Sequence, residues 1–237
     1  MMYLSRIHLQ INHLKPDMLQ KWRDATPYAA HQWLWQLFPE ETQRSFLFRQ
    51  EPKERFFVLS ESPPLTQHNL FLVETKSFNP QIKAGQAFDF QLRANPVITR
   101  QKKRYDVLMD AKYRAKARGK PKASWWDIQT AAASLWLEKQ GERHGFELMN
   151  PPLAELSQWA GEETDNAAVA GQACVSGYQQ HRFQRQAGQK TIIYSSVDYS
   201  GLLKITDAAK FQQALCQGLG KSKSLGCGLM MIKRPGL

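Results

Sequence analysis

The chain is short of acid, short of cysteine and free of long apolar runs, and each shortage removes a class of protein. Twenty-one Asp/Glu stand against 32 Lys/Arg, leaving a net charge of +11. Such an imbalance says nothing about fold but selects a polyanionic partner. The three cysteines, Cys174, Cys216 and Cys227, form an odd set without metal-ligand spacing. They exclude a disulfide framework and a zinc ribbon, and they suit buried or incidental thiols in a reducing cytoplasm. With no apolar run long enough to span a bilayer and no basic amphipathic anchor, nucleic acid is favoured over a membrane surface. Met1 to Gln10 lacks the apolar core of a secretory signal, so the expected location is cytoplasmic. No carboxylate or His/Cys cluster offers a metal site, so neither metal nor cofactor is expected. Helix-turn-helix, zinc-finger and zipper patterns are missing too, which counts against a DNA-binding protein.

What is present is concentrated near the C-terminus. Gly218 to Gly228 packs four glycines, with Lys221 and Lys223, into eleven residues before the apolar Leu229-Met230-Met231-Ile232. Glycines at this density let backbone N–H groups turn outward, and the lysines select an anion such as phosphate. Gly220-Lys221-Ser222 resembles the end of a P-loop, but Leu215 stands where its first glycine belongs. The order helix, loop, strand is also the reverse of that motif. The stretch therefore reads either as a phosphate contact or as a plain glycine-rich turn.

Along the chain, Met2 to Ile11 reads as a strand, and Thr26-Pro27 opens a helix with Thr26 as N-cap and Pro27 in the first turn. Ala30, Trp33, Leu34, Leu37 and Phe38 recur at helical spacing as its core face, and Pro39 ends it. Tyr28, His31 and Trp35 form a neighbouring stripe. Tyr28 and His31, three apart, can reach one site together. Spacing alone favours a helix rim that carries both by chance, because such pairs are common on helices. Phe46 to Phe48 and Phe56 to Leu59 read as a hairpin turning at Glu51 to Glu54, with further strands at Leu70 to Thr75 and Ala87 to Arg93. One helix on short antiparallel strands is an α+β layer.

Between Arg100 and Lys122, ten Lys/Arg face only Asp106 and Asp110, a local net charge of +8. Arg100, Lys102, Lys103, Arg104, Lys112, Arg114, Lys116 and Arg118 are candidate RNA contacts on a mobile basic loop that orders on phosphate. The bland alternative is a solvated linker. Ser124 to Gln140 is a second helix with an apolar stripe of Trp125, Ile128, Ala132 and Leu135, and Gly141 is its stop. Pro151 to Asn166 is an acidic connector. Val169 to Phe183 and Ile192 to Val197 flank a basic turn, a β-ribbon tipped by Arg182, Arg185 and Lys190 that suits an RNA groove. Leu202 to Ile205 follows as a strand, Asp207 caps a last helix through Cys216, and a final strand follows the glycine loop.

Taken together, Gly218 to Leu229, the opening Met2-Tyr3-Leu4-Ser5, the segment Leu92-Arg93-Ala94-Asn95-Pro96 and Tyr28/His31 resemble the CasE family, the CRISPR repeat-processing endoribonucleases of type I-E Cascade. That resemblance implies two tandem ferredoxin-like (RNA-recognition-like) domains with helices on one face of antiparallel sheets. The expected division is 1–96 carrying Tyr28/His31, a basic linker or RNA-contacting loop at 97–123, and 124–237 with the ribbon and glycine loop. The second helix of the first domain would fall in Thr66 to Leu70 or Phe78 to Ile82, neither a good helix, which points to a degenerate half. The resemblance further implies that Tyr28 and His31 are catalytic, and that Gly220, Lys221, Lys223 and Gly226 contact RNA. It implies metal-independent cleavage of CRISPR precursor RNA within its repeat hairpin by 2′-OH attack, giving 5′-OH and 2′,3′-cyclic phosphate ends. The mature crRNA 3′ hairpin would stay bound, with other Cascade subunits as partners and a monomer outside the complex. The rival from another class is a non-catalytic RNA-binding subunit of the same fold.

Overall fold

The computed structural model describes residues 1–149, 174–185 and 188–235. The acidic connector at 151–166 and the first residues of the strand expected from Val169 lie outside them.

The first half begins with β1 (Met2–Leu9), α1 (Pro16–Trp35), the hairpin β2 (Phe46–Glu51) and β3 (Arg55–Ser60), and β4 (Phe71–Phe78). The strands lie antiparallel in the order β2-β3-β1-β4. Period-two alternation buries Ser5, Ile7 and Leu9 of β1 while Arg6 and His8 face out. Trp22, Ala29, Ala30, Trp33 and Leu34 of α1 close over Ile7, Leu9, Phe48, Phe56, Val58 and Phe71. Each such side chain contributes roughly 1.5–3 kcal/mol when fully buried. Trp22 stacks on Trp33 at 5.4 Å across the core. No helix forms between β3 and β4, where Pro63-Pro64 denies the chain consecutive helical residues. This sheet therefore has the ferredoxin-like strand order with one helix missing.

Helix α1 starts ten residues before the expected Thr26-Pro27 opening. Pro16 occupies its first turn, and Ala25 (φ −146°, ψ 46°) breaks it just before Pro27, which has no N–H to continue the ladder. Thr26 is not a cap: its hydroxyl donates to the Trp22 carbonyl. The break resets the second segment and rotates Tyr28 and His31 away from the core face.

Beyond β4 the chain crosses to a second sheet. The strand β5 (Ala87–Ala94), which the sequence reading grouped with the first half, pairs with two strands of the second. Then come the hairpin β6 (Val97–Arg100) and β7 (Lys103–Asp106), α2 (Val107–Ala117), α3 (Trp125–His144) and β8 (Phe146–Met149). After these, β9 (Cys174–Phe183), β10 (Ile192–Ile205), α4 (Ala208–Gln217) and β11 (Met230–Lys233) complete the half. The order is β11-β5-β10-β8, with β9 running along the N-terminal part of β10. Removing the basic insertion and β9 leaves the ferredoxin-like order a second time. Phe90, Leu92, Val197, Tyr199 and Leu203 of the sheet meet Trp136 and Leu137 of α3 and Phe211 and Leu215 of α4. Leu47, Leu59 and Leu229 join the two halves.

Four expectations change here. The basic segment is not a loop: Gln101 and Lys102 take positive φ in a tight hairpin turn, and Asp106 caps α2 by accepting from the Met109 N–H. Val107, Leu108 and Ala115 are the buried residues of α2, a set so sparse that the flanking charge hid it. The stripe expected on α3 is not its core face. Ala133, Trp136, Leu137 and Gln140 are buried instead, and Leu135 is half exposed. Helix α3 runs past Gly141 and ends on Gly145, which takes the left-handed conformation. The two strands expected at Ile192 to Val197 and Leu202 to Ile205 are one continuous β10.

Candidate active site

Because α1 is reset at Ala25, Tyr28, His31 and Trp35 line one cavity of about 920 Å³, closed on the far side by Arg185, Ile192, Ser224 and Leu225. The wall thus draws on three places the sequence flagged separately: the Tyr28/His31 helix, the tip of the β9–β10 ribbon and the glycine loop.

His31 sits against aromatic rings, with Trp35 edge-on at 5.4 Å and Phe46 and Phe48 at 6.0 and 6.4 Å. Its Nε2 is buried without a hydrogen-bond partner. Burial, followed by the positive charges of Arg44 and Arg185, lowers its pKa from 6.5 to about 4. At neutral pH the ring is uncharged. Tyr28 accepts a hydrogen bond from Gln32 Nε2 at 2.9 Å and stacks on Phe183 at 6.3 Å. Lys21 Nζ and the Arg185 guanidinium lie 5.4 and 5.5 Å from its ring centre, within cation–π range.

The glycine loop is anchored by the other motif that stood out, Leu92 to Pro96. Arg93 makes a bidentate pair with Asp198, both bonds 2.8 Å, and donates to the Gln50 carbonyl. Asn95 Nδ2 donates to Ser222 Oγ at 2.7 Å, and the Gly228 N–H donates to the Arg93 carbonyl at 2.7 Å. Gly226 takes φ +82° with the Phe48 ring 3.2 Å from where a Cβ would sit, so no other residue fits without strain. Gly220 packs on the Trp136 ring in the same manner. These two glycines are pressed against protein, so their outward backbone rather than their missing side chains is what a ligand could meet.

Lys221 is exposed, while Lys223 is half-buried and donates to the Gln217 carbonyl at 2.6 Å. Burial, then Arg44 and Lys221, lowers the Lys223 pKa. On the ribbon, Arg185 enters the cavity, Arg182 lines a separate cleft on the other side of Phe183, and Lys190 is exposed. The basic residues of 97–123 do not line the cavity. Arg100 pairs with Asp110 at 2.9 and 3.0 Å and Arg114 shares that carboxylate at 3.1 Å. Lys112 covers the Trp125 ring at 5.3 Å. Lys102, Lys103, Arg104, Lys116 and Arg118 are exposed. Sequence reasoning missed Gln32, Arg44 and Phe183. Phe183 could have been found from its place at the end of an alternating strand beside the basic turn, but Arg44 carries no local signal.

Among the described residues no three His, Cys, Asp or Glu side chains group as metal ligands. No described helix is long and apolar enough to cross a membrane.

Two sheets in ferredoxin-like order, with an uncharged histidine and a tyrosine under a basic ribbon, define a protein shaped to engage an anion. The chain belongs to the family described as CRISPR associated protein, whose model matches residues 2–234. It is 27% identical over 86% of its length to the CRISPR system Cascade subunit CasE of Escherichia coli (strain K12), covering 90% of that protein. To the CRISPR-associated endoribonuclease Cse3 of Thermus thermophilus it is 28% identical, over 88% of this chain and 90% of the other. In fold it matches CRISPR endoribonuclease Cse3 bound to a 19-nt RNA with a TM-score of 0.70 at 23% identity, covering 98% of this chain and all of that one.

Proposed function

We propose that the protein is a metal-independent endoribonuclease that cuts CRISPR precursor RNA within its repeat hairpin and keeps the product bound in a Cascade assembly. The observation that carries this reading is the shared cavity, where the Tyr28/His31 face meets Arg185 and the glycine loop. The names of its relatives, a Cascade subunit and an endoribonuclease, supply the substrate class.

RNA carries its own nucleophile. His31, uncharged at neutral pH, accepts the proton of the 2′-OH. The 2′-oxygen bonds to phosphorus, the bond to the 5′-oxygen breaks, and His31 returns the proton it took to that leaving oxygen. The products are a 2′,3′-cyclic phosphate and a 5′-OH. Tyr28, its hydroxyl fixed by Gln32, holds the reacting ribose in line. Arg185 and Lys223 offset the charge gathering on the phosphate oxygens. Every group required is a side chain of this chain or an atom of the RNA.

A labelled repeat RNA tests this directly. One 2′-deoxy substitution just upstream of the cut phosphate should abolish cleavage while binding persists, and EDTA should change nothing. Cleavage that tolerates the deoxy nucleotide and stops in EDTA would overturn the mechanism, because a metal-activated water needs no 2′-OH. Binding without any cleavage would leave a non-catalytic RNA-binding subunit.

A further inference from the structure

The break in α1 brings together three side chains that a straight helix would keep apart. Lys21 lies before Ala25, and Tyr28 and Gln32 lie after it. Lys21 Nζ donates to Gln32 Oε1, eleven residues on. In an unbroken helix eleven residues advance about 16 Å, more than the two side chains can span. Gln32 Nε2 in turn donates to the Tyr28 hydroxyl oxygen at 2.9 Å. Lys21 Nζ also stands 5.4 Å from the Tyr28 ring centre, which ties the ends of this short chain together.

The order of donors in it is fixed by chemistry. An ammonium has no acceptor, so only the carbonyl end of the Gln32 amide can face Lys21. The amide N–H₂ is thereby turned to Tyr28, whose oxygen accepts and whose single proton is not used in that bond. Without Lys21 the amide is free to turn over and take that proton for itself. Tyr28 and Gln32 both line the cavity that holds His31.

We propose that Lys21 and Gln32 are positioning residues that make Tyr28 a hydrogen-bond donor to the attacking 2′-oxygen, so that the 2′-OH turns its own proton toward His31. The inference rests on the cleavage reading above and gives the Tyr28 contact a direction. A 2′-OH whose oxygen is held by a donor no longer rotates freely, and its proton is left for the base. No proton leaves Tyr28: the one that moves is that of the 2′-OH, and it goes to His31. Each donor in the series polarises the next, from the lysine to the ribose.

The test is single-turnover cleavage at saturating repeat RNA, with binding of the uncleavable 2′-deoxy RNA beside it. Wild type is compared with Gln32→Glu, Lys21→Met and Lys21→Arg, each also in a Tyr28→Phe background. Glu matches Gln in shape and pairs better with Lys21, but a carboxylate cannot donate and captures the Tyr28 proton. Gln32→Glu should therefore cut about 10–10²-fold more slowly and bind the deoxy RNA nearly as well as wild type. Lys21→Met should also slow cleavage, and Lys21→Arg, which keeps an N–H donor, should recover most of that loss. In Tyr28→Phe these changes should have no further effect, whereas repulsion of RNA by the new carboxylate, or a packing defect, would persist there. Sulfur in place of a non-bridging oxygen of the cut phosphate should slow Tyr28→Phe as much as wild type; a smaller effect would move the Tyr28 bond to the phosphate and overturn the proposal. Gln32→Glu cutting at the wild-type rate, or losing the same factor without Tyr28, would overturn it while the cleavage reading stands. If wild type does not cut, the cleavage reading itself has failed. Should Gln32→Glu not fold, the Lys21→Met and Lys21→Arg pair decides: equal rates in the two would overturn the proposal.

Discussion

The two halves share one strand order and spend it differently. The first lacks a helix between β3 and β4, has a compact aromatic core, and places Tyr28 and His31 on a single broken helix. The second retains both helices and adds to the plan the basic hairpin with α2, the strand β9, and a 14-residue β10 with the ribbon at its start. Its contribution to the cavity is Arg185 and Ile192 from the ribbon and Ser224-Leu225 from the loop. The division is physically sensible. Proton transfer needs a ring held to within a few tenths of an ångström, which a packed helix provides. Binding a long polyanion needs reach and charge, which an extended ribbon provides.

That comparison can be broken most directly by removing chemistry from the first half alone. His31→Ala should slow cleavage on the order of 10²–10⁴-fold while RNA affinity stays near wild type, measured by single-turnover cleavage beside filter binding. Equal losses of rate and affinity would show that the two halves do not divide the work. Next in size is the loop. Gly226→Ala forces a Cβ toward Phe48 at a positive φ and should cost about 1–2 kcal/mol of stability, seen in the denaturant midpoint. Cleavage should fall with it as Leu225 is displaced from the cavity wall.

Charge removal in the second half should act on affinity. Arg185→Gln should reduce the slope of log Kd against log salt by about 0.7–0.9, one phosphate contact. The same change at Arg100 and Arg114 should do less, because Asp110 already holds both. If those two prove the larger contributors, α2 rather than the ribbon is the main RNA surface.

The smallest effect concerns pH and stability. The folded value of His31, about 4, lies below its ordinary 6.5, so between these values the unfolded chain holds more protons. Stability from this residue is therefore complete above about pH 6.5 and declines as pH falls toward 4. Urea midpoints from pH 7 to 4 should fall more steeply for wild type than for His31→Gln. Parallel curves would mean that His31 is not buried uncharged.

Much of this was legible in the chain because it is local. The β2–β3 hairpin shows as two aromatic runs around a polar turn, α4 as an Asp207 cap followed by an apolar face, and Tyr28/His31 as a pair three residues apart. The true start of α1 was hidden because Pro27 gave a stronger helix-opening signal than Pro16. Helix α2 was hidden because Val107, Leu108 and Ala115 are few among so many charges. In both cases the missing information was the packing partner, which decides between local signals of similar strength.

What the sequence determined by itself is charge, periodicity and residue spacing: a polyanion-binding α+β chain with a histidine and tyrosine on one helix face and an anion-compatible loop near its end. Only the tertiary structure decided that Leu92 to Pro96 fastens that loop and that Arg185 reaches across to Tyr28. These are contacts between residues well over a hundred positions apart. No local pattern specifies them; they exist because burying Leu47, Leu59 and Leu229 together brings the two halves into register.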